Sequence, residues 1–192
     1  EFRRVLFRST TGLKAYQIGK GKPSQNESDK NGRIFHSLDI IDSTYGKYLK
    51  GIDVKRYIVQ WSGEYISYGD WLAEPRRSVY FDKPRILVRQ IPNKPPYSIN
   101  AAYIEELAYN DINSMVIQKI SVNPFLILSQ LNSKLTSFWF INTFDKMQRK
   151  TFPQFKVNEL KTFPIIGTMN SELISLCENI IGLKLSHAKT KI

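Results

Sequence analysis

Cysteine is almost missing from this chain: Cys177 is the only one in 192 residues. A single thiol excludes an intramolecular disulfide. With two histidines, His36 and His187, no His/Cys cluster has the spacing of a zinc site. These absences fit a reducing, cytoplasmic setting. Long apolar runs are missing too. FLIL at 125–128, FWFI at 138–141 and FPII at 163–166 fall far short of the ~20 residues a membrane helix needs, so no membrane partner is expected. Carboxylates are scarce, 17 against 28 lysines and arginines, and they do not assemble into chemistry. Adjacent Glu105 and Glu106 would point to opposite faces of a strand. Asp82-Lys83 lacks the second acid of a nuclease site. GKGK at 19–22 lacks the spacing of a phosphate-binding loop. No Ser/His/Asp or Cys/His set can be assembled, and His36 reads as structural.

What is present is positive charge and enough apolar content for a core. Hydrophobic residues make up 42% of the chain, which excludes the composition of a disordered segment. The net charge of +11 points to a polyanionic partner, first of all nucleic acid. The first nine residues, EFRRVLFRS, match an in-frame translation of a common sequencing-library adapter, and no methionine starts the chain. Residues 1–9 are therefore expected to be artefact, with genuine sequence continuing upstream. Setting aside Glu1, Arg3, Arg4 and Arg8 leaves about +9, so the basic character stands.

Pattern predicts strands first and helices after. Residues 12–19 alternate like a strand, and 19–33 form a polar loop. RYIVQW and EYISY around Ser62-Gly63 predict a hairpin over 56–68. Residues 69–78 read as a loop or short helical turn. PRILVRQI at 84–91 predicts a strand with Arg85, Leu87 and Arg89 on one face. The prolines of 91–96 must leave the sheet. Strand-like pieces at 98–109 and 114–120 flank a turn at Asn110-Asp111. Asn123 followed by Pro124 starts a helix. Leu128, Leu131, Leu135 and Phe138 form its stripe, with a break near Asn132-Ser133. Phe138, Trp139 and Phe140 cannot all face one side, so one should face a partner. Residues 145–150 read as a basic connector, and 152–166 as a strand, a helical turn and a strand. Asn170 or Ser171 caps a last helix with Leu173, Leu176, Ile180 and Leu183 on one side. The expected organisation is adapter at 1–9, a domain at 10–167 and a C-terminal helix at 168–192.

NKPPY at 93–97 is close to the N-P-P-Y of adenine-modifying methyltransferases, where Asn and a proline carbonyl grip the amine and Tyr stacks on the extruded base. Lysine splits the motif here, and those groups must converge on one atom. No strand–glycine turn–helix unit for a methyl donor accompanies it. The stretch therefore reads as a proline-rich loop, with no catalytic residue and no cofactor in this chain.

Several stretches in order carry a resemblance: LKAYQIGKGKPSQ (13–25), RIFHS (33–37), YLKGIDVKRYIVQW (48–61), GEYISYGDWLAEPR (63–76), KPRILVRQI (83–91), LNSKLTSFWF (131–140) and FPQFKVNELKTFPI (152–165). Together they resemble the TaqI-like C-terminal specificity domain, the target recognition domain of N6-adenine DNA methyltransferases and of fused type IIG restriction–modification enzymes. The last two also resemble the ends of recognition domains in type I specificity subunits. The resemblance implies an α+β fold, with a curved, mostly antiparallel sheet and flanking helices. It implies double-stranded DNA as partner and a separate N-terminal methyltransferase domain that binds S-adenosylmethionine. It also implies a bacterial or archaeal phage-defence setting.

On that reading Lys and Arg grip phosphates while Arg, Lys, Gln and Asn read base edges. The candidates are Arg76 and Arg77 after the WLAEP turn, then Lys83, Arg85 and Arg89 around the next strand. Lys94 and Tyr97 in the proline loop follow, and then Lys146, Gln148, Arg149 and Lys150. Arg85 and Arg89 could instead pair with Glu64 or Asp82. Trp61, Trp71 and Trp139 are expected to pack rather than stack on bases. The rival is a basic RNA-binding or protein-interaction module.

Overall fold

β-Branched and long apolar side chains in the run Arg85–Arg89 (β5) make it the centre of the protein. The computed structural model describes residues 6–144 and 153–190. β5 pairs antiparallel with Ser114–Gln118 (β8) on one side and with Ala101–Ile104 (β6) on the other. Arg8–Thr11 (β1) adds antiparallel to the far side of β8, giving the order β1-β8-β5-β6. Residues 8 and 9, expected to be adapter, pair with Gln118 and Ile117. An edge ladder uses backbone groups, so other residues there would complete it equally.

A second four-stranded sheet follows from the middle of the chain. His36–Ser37 (β2), Tyr65–Ser67 (β4) and Tyr45–Leu49 (β3) are antiparallel neighbours, and Tyr109–Asn110 (β7) joins β3 in parallel. The fold is α+β, as expected, with mostly antiparallel strands in two open sheets where the sequence reading has one. Among the described residues five helices surround them: Glu27–Gly32 (α1), Pro124–Leu131 (α2), Lys134–Thr143 (α3), Val157–Leu160 (α4) and Ser171–Lys189 (α5). None is long and apolar enough to cross a membrane.

Both faces of the first sheet are covered. On one, Ile86, Val88, Met115 and Ile117 pack with Leu128, Leu131, Phe140, Phe155, Phe163 and Cys177. On the other, Leu87, Val116 and Ala102 pack with Leu49, Val54 and Ala108. A third cluster, Leu13, Ile66, Leu72 and Phe81, lies against the second sheet. The sheets meet where Gly12 leaves β1. Gly12 N–H donates to the Ser114 carbonyl and Leu13 N–H to that of Asn110. A Cβ on Gly12 would fall 2.1 Å from the Asp111 carbonyl oxygen and 2.2 Å from that of Asn110, so only glycine fits.

Helix starts follow their local signals. Asn123 Oδ1 accepts from Phe125 N–H with Pro124 in the first turn, and Asn170 Oδ1 accepts from Leu173 N–H. The break at Asn132-Ser133 separates α2 from α3, and Ser133 Oγ caps α3 by accepting from Thr136 N–H. The break also turns the stripe: Leu128 and Leu131 are buried, whereas Leu135 and Phe138 are exposed.

Five expectations fail. Residues 12–19 make only isolated bridges at Leu13 and Lys14, and the loop expected over 19–33 contains α1. Residues 56–61 make no strand. Tyr57 takes a left-handed φ of 73° and bridges Ala102, so β4 pairs instead with β2 and β3. Residues 153–166 contain no strand, because Phe155, Leu160 and Phe163 are drawn into an aromatic cluster with Phe140. On α5 the inward residues are Cys177, Ile180 and Ile181, set by α2, while Leu176 and Leu183 face out.

Candidate nucleic-acid interface

The sequence-predicted cations divide by what their charge already does. Arg85 is spent inside the protein. It is 0% exposed, because the sheet face that carries it is covered by β3 and the turn after β6. Its Nη1 donates to the carbonyls of Lys83 (3.1 Å) and Glu106 (3.2 Å), and its Nη2 to that of Ala108 (2.6 Å). Burial pulls its pKa down to about 10, against the opposing pull of Asp82 and Glu106, so it stays charged at neutral pH. Neither Glu64 nor Asp82 takes it as an ion-pair partner, and it cannot reach a duplex. Glu64 is instead shared by Arg33 and Lys50.

Arg76 is exposed but engaged. Its φ of 62° is left-handed, and Tyr68 Oη donates to its carbonyl at 2.7 Å. The guanidinium donates to Thr11 Oγ1 at 2.9 Å and pairs with Glu74 at 3.1 Å, strapping this turn to the end of β1. Arg77 and Lys83 are exposed and make no ion pair among the described residues. Arg89 is half-buried, and burial lowers its pKa. Lys94 is exposed at the tip of the proline loop. Lys146, Gln148, Arg149 and Lys150 lie outside the described residues.

Tyr97 is the predicted residue that the fold gathers with others. The guanidinium carbon of Arg56 lies 3.6 Å from the centre of its ring, and the Lys134 ammonium 5.5 Å from it. Neither Arg56 nor Lys134 stood out in the sequence. Arg56 sits in a stretch that reads as strand, and Lys134 follows a helix break whose approach to residue 97 has no local signal.

The same loop answers the motif question. Asn93 N–H donates to the Ser98 carbonyl and its Nδ2 donates to Asn100 Oδ1 at 3.2 Å. Ser98 N–H donates to Ser137 Oγ at 2.9 Å, docking the loop on α3. Asn93 and Tyr97 thus serve different neighbours, the amide of Asn100 just before β6 and a guanidinium, and do not converge on one point.

The tryptophans pack and bond locally. Trp61 Nε1 donates to the Glu64 carbonyl, Trp71 Nε1 to that of Ser67, and Trp139 meets Phe144 and Phe163 edge-on. Of the three adjacent aromatics, Phe140 is buried and Phe138 is 67% exposed. No group of three or more acids, histidines or cysteines is placed to hold a metal among the described residues.

The domain is thus an open α+β frame that leaves Arg77, Lys83 and Lys94 exposed on its turns. The family model of the TaqI-like C-terminal specificity domain matches residues 46–165, and the chain belongs to that family. Comparison with curated proteins finds no match.

Proposed function

We propose that this chain recognises sequence in double-stranded DNA. It would serve as the specificity part of a site-specific adenine-N6 methyltransferase or of a fused type IIG restriction–modification enzyme. Methyl transfer from S-adenosylmethionine then belongs to a separate catalytic domain, and the setting is the cytoplasm of a bacterium or archaeon defending itself against phage. The observation that carries this reading is the family match over residues 46–165 on a chain of net charge +11. Arg77, Lys83 and Lys94, exposed on turns of a rigid frame, supply grip on phosphates. Base edges are read by neighbouring amide and guanidinium groups.

Selection from a randomised duplex library tests it. A recurring motif among retained duplexes is expected. Retention without a motif, or tighter capture of single-stranded RNA, overturns it. Replacing Arg77 and Lys83 together with Ala should weaken duplex binding and reduce the slope of log K against log salt by about 2, near one per phosphate contact. An unchanged slope removes these two from the interface. Methyl transfer by this chain alone would overturn the division of labour.

A further inference from the structure

We propose that Arg56, Lys134 and the ring of Tyr97 form a preorganised seat for one backbone phosphate of duplex DNA. The proposal rests on the DNA-recognition reading and adds a site with a defined ligand chemistry.

The geometry is fixed from β6. The carbonyl of Ala101 accepts from Tyr57 N–H at 2.7 Å and from Asn132 Nδ2 at 2.9 Å, while Ala101 N–H donates to Asn132 Oδ1 at 3.0 Å. One strand residue thereby holds both the kink beside Arg56 and the break that precedes α3. The break returns the contact: the carbonyl of Asn132 accepts from Arg56 Nη2 at 3.1 Å. The left-handed turn at Tyr57 accompanies this, and such conformations persist only where surroundings impose them. Arg56 is thus held with its guanidinium carbon 3.6 Å from the centre of the Tyr97 ring, and the Tyr97 loop is itself tied to α3 through Ser98 and Ser137. For Arg56 and Tyr97 little conformational entropy remains to be lost when a ligand arrives, whereas Lys134 supplies a mobile charge beside them.

The electrostatics ask for an anion. Both cations lie over one ring, and no carboxylate pairs with either among the described residues. Tyr97 attracts each cation through its ring but cancels neither charge. Lys134 occupies the first position of α3, where the helix dipole favours negative charge, and the first turn holds no acid. A structural role accounts for Arg56, which straps two loops and a helix break. It does not account for Lys134, which is exposed and makes no hydrogen bond among the described residues. A phosphate oxygen set between guanidinium and ammonium satisfies both, with Lys as the point charge and Arg as the fixed fork.

The test uses the full chain and a mixed-sequence duplex pool, since a phosphate contact is indifferent to sequence. Anisotropy is followed over a series of sodium chloride concentrations. Lys134→Gln should keep the wild-type urea midpoint, weaken binding several-fold and lower the salt slope by about 1. Lys134→Arg should restore both, and Tyr97→Phe should bind as wild type while Tyr97→Leu should not. If the wild type binds duplex with a salt slope that Lys134→Gln leaves unchanged, the seat is refuted and the DNA reading stands. If the wild type shows no salt-dependent duplex binding, the reading fails and the seat with it. A single-stranded RNA pool that binds tighter and shows the same loss on Lys134→Gln overturns the assignment to duplex DNA.

Discussion

Replacing Arg85 with methionine separates the two roles that a basic sequence assigns to it. Methionine keeps most of the stem and removes the guanidinium. Three backbone carbonyls then lose their donor, that of Ala108 in a fully buried place and those of Lys83 and Glu106 in part-buried ones. Hydrogen bonds from a charged group contribute about 1.5–3 kcal/mol each, so the three together are worth roughly 5–9 kcal/mol before offsets. Removing a buried cation returns a desolvation cost of several kcal/mol. The difference leaves a destabilisation of about 3 kcal/mol. In a chain of this length each kcal/mol moves Tm by about 2–4 °C, so a fall of about 6–12 °C is expected. Urea unfolding followed by tryptophan fluorescence reads the first quantity, and a thermal scan the second. Below the unfolding transition Arg85→Met should bind duplex DNA as the wild type does. A variant of wild-type stability with binding weakened tenfold would refute the reasoning, because it would put the guanidinium outside, on the ligand.

Three further outcomes follow from buried groups. His36 is held neutral, its pKa lowered to about 4, chiefly by burial, with Arg33 and Lys50 adding to this and Glu64 opposing it; Tyr16 Oη sits 2.9 Å from Nδ1. A histidine depressed in the fold stabilises it fully above the unfolded value of about 6.5, and this contribution shrinks as pH falls toward 4. The loss of stability between about pH 6.5 and 5, where unfolded carboxylates stay ionised, should therefore flatten in His36→Gln, as read by urea midpoints. Cys177, 1% exposed and with its pKa pushed up to about 12 by burial, should resist a thiol reagent in the native protein. It should react at the rate of unfolding when urea is added, and prompt labelling without urea would place it outside the core. Gly12→Ala should cost more than about 3 kcal/mol or prevent folding, because the carbonyls of Asn110 and Asp111 that its Cβ would meet are backbone of the strand junction. A urea midpoint near that of the wild type would show that the junction yields.

Elements whose cause is local could be read directly. β5 announces itself by composition, α2 by Asn123-Pro124, α5 by Asn170, and the α2–α3 break by Asn132-Ser133. Elements whose cause is distant could not. The alternation of RYIVQW is a strand signal of ordinary quality, yet Tyr57 bonds to Ala101, 44 residues on, and the kink that results has no signature in its neighbours. Helix α5 has apolar residues on two adjoining stripes. Its periodicity is real, but only the position of α2 decides that Cys177 and Ile181 turn inward.

The same distinction governs the site. A net charge of +11 is a property of the whole chain and says nothing of where each cation ends. Arg85 alternates onto the more polar face of its strand, and that face is covered. Arg76 follows a turn, and the turn uses it to hold β1. Cations sealed inside the frame, like Arg85, or paired with a carboxylate, like Arg76, are lost to a ligand. The informative cations are those that reach the surface with no carboxylate beside them, and finding them requires knowing every neighbour. Arg56 and Lys134 come from segments 78 residues apart and meet only over Tyr97. Sequence supplied the tyrosine, through a motif it does not complete. The fold supplied the charges that give it a use.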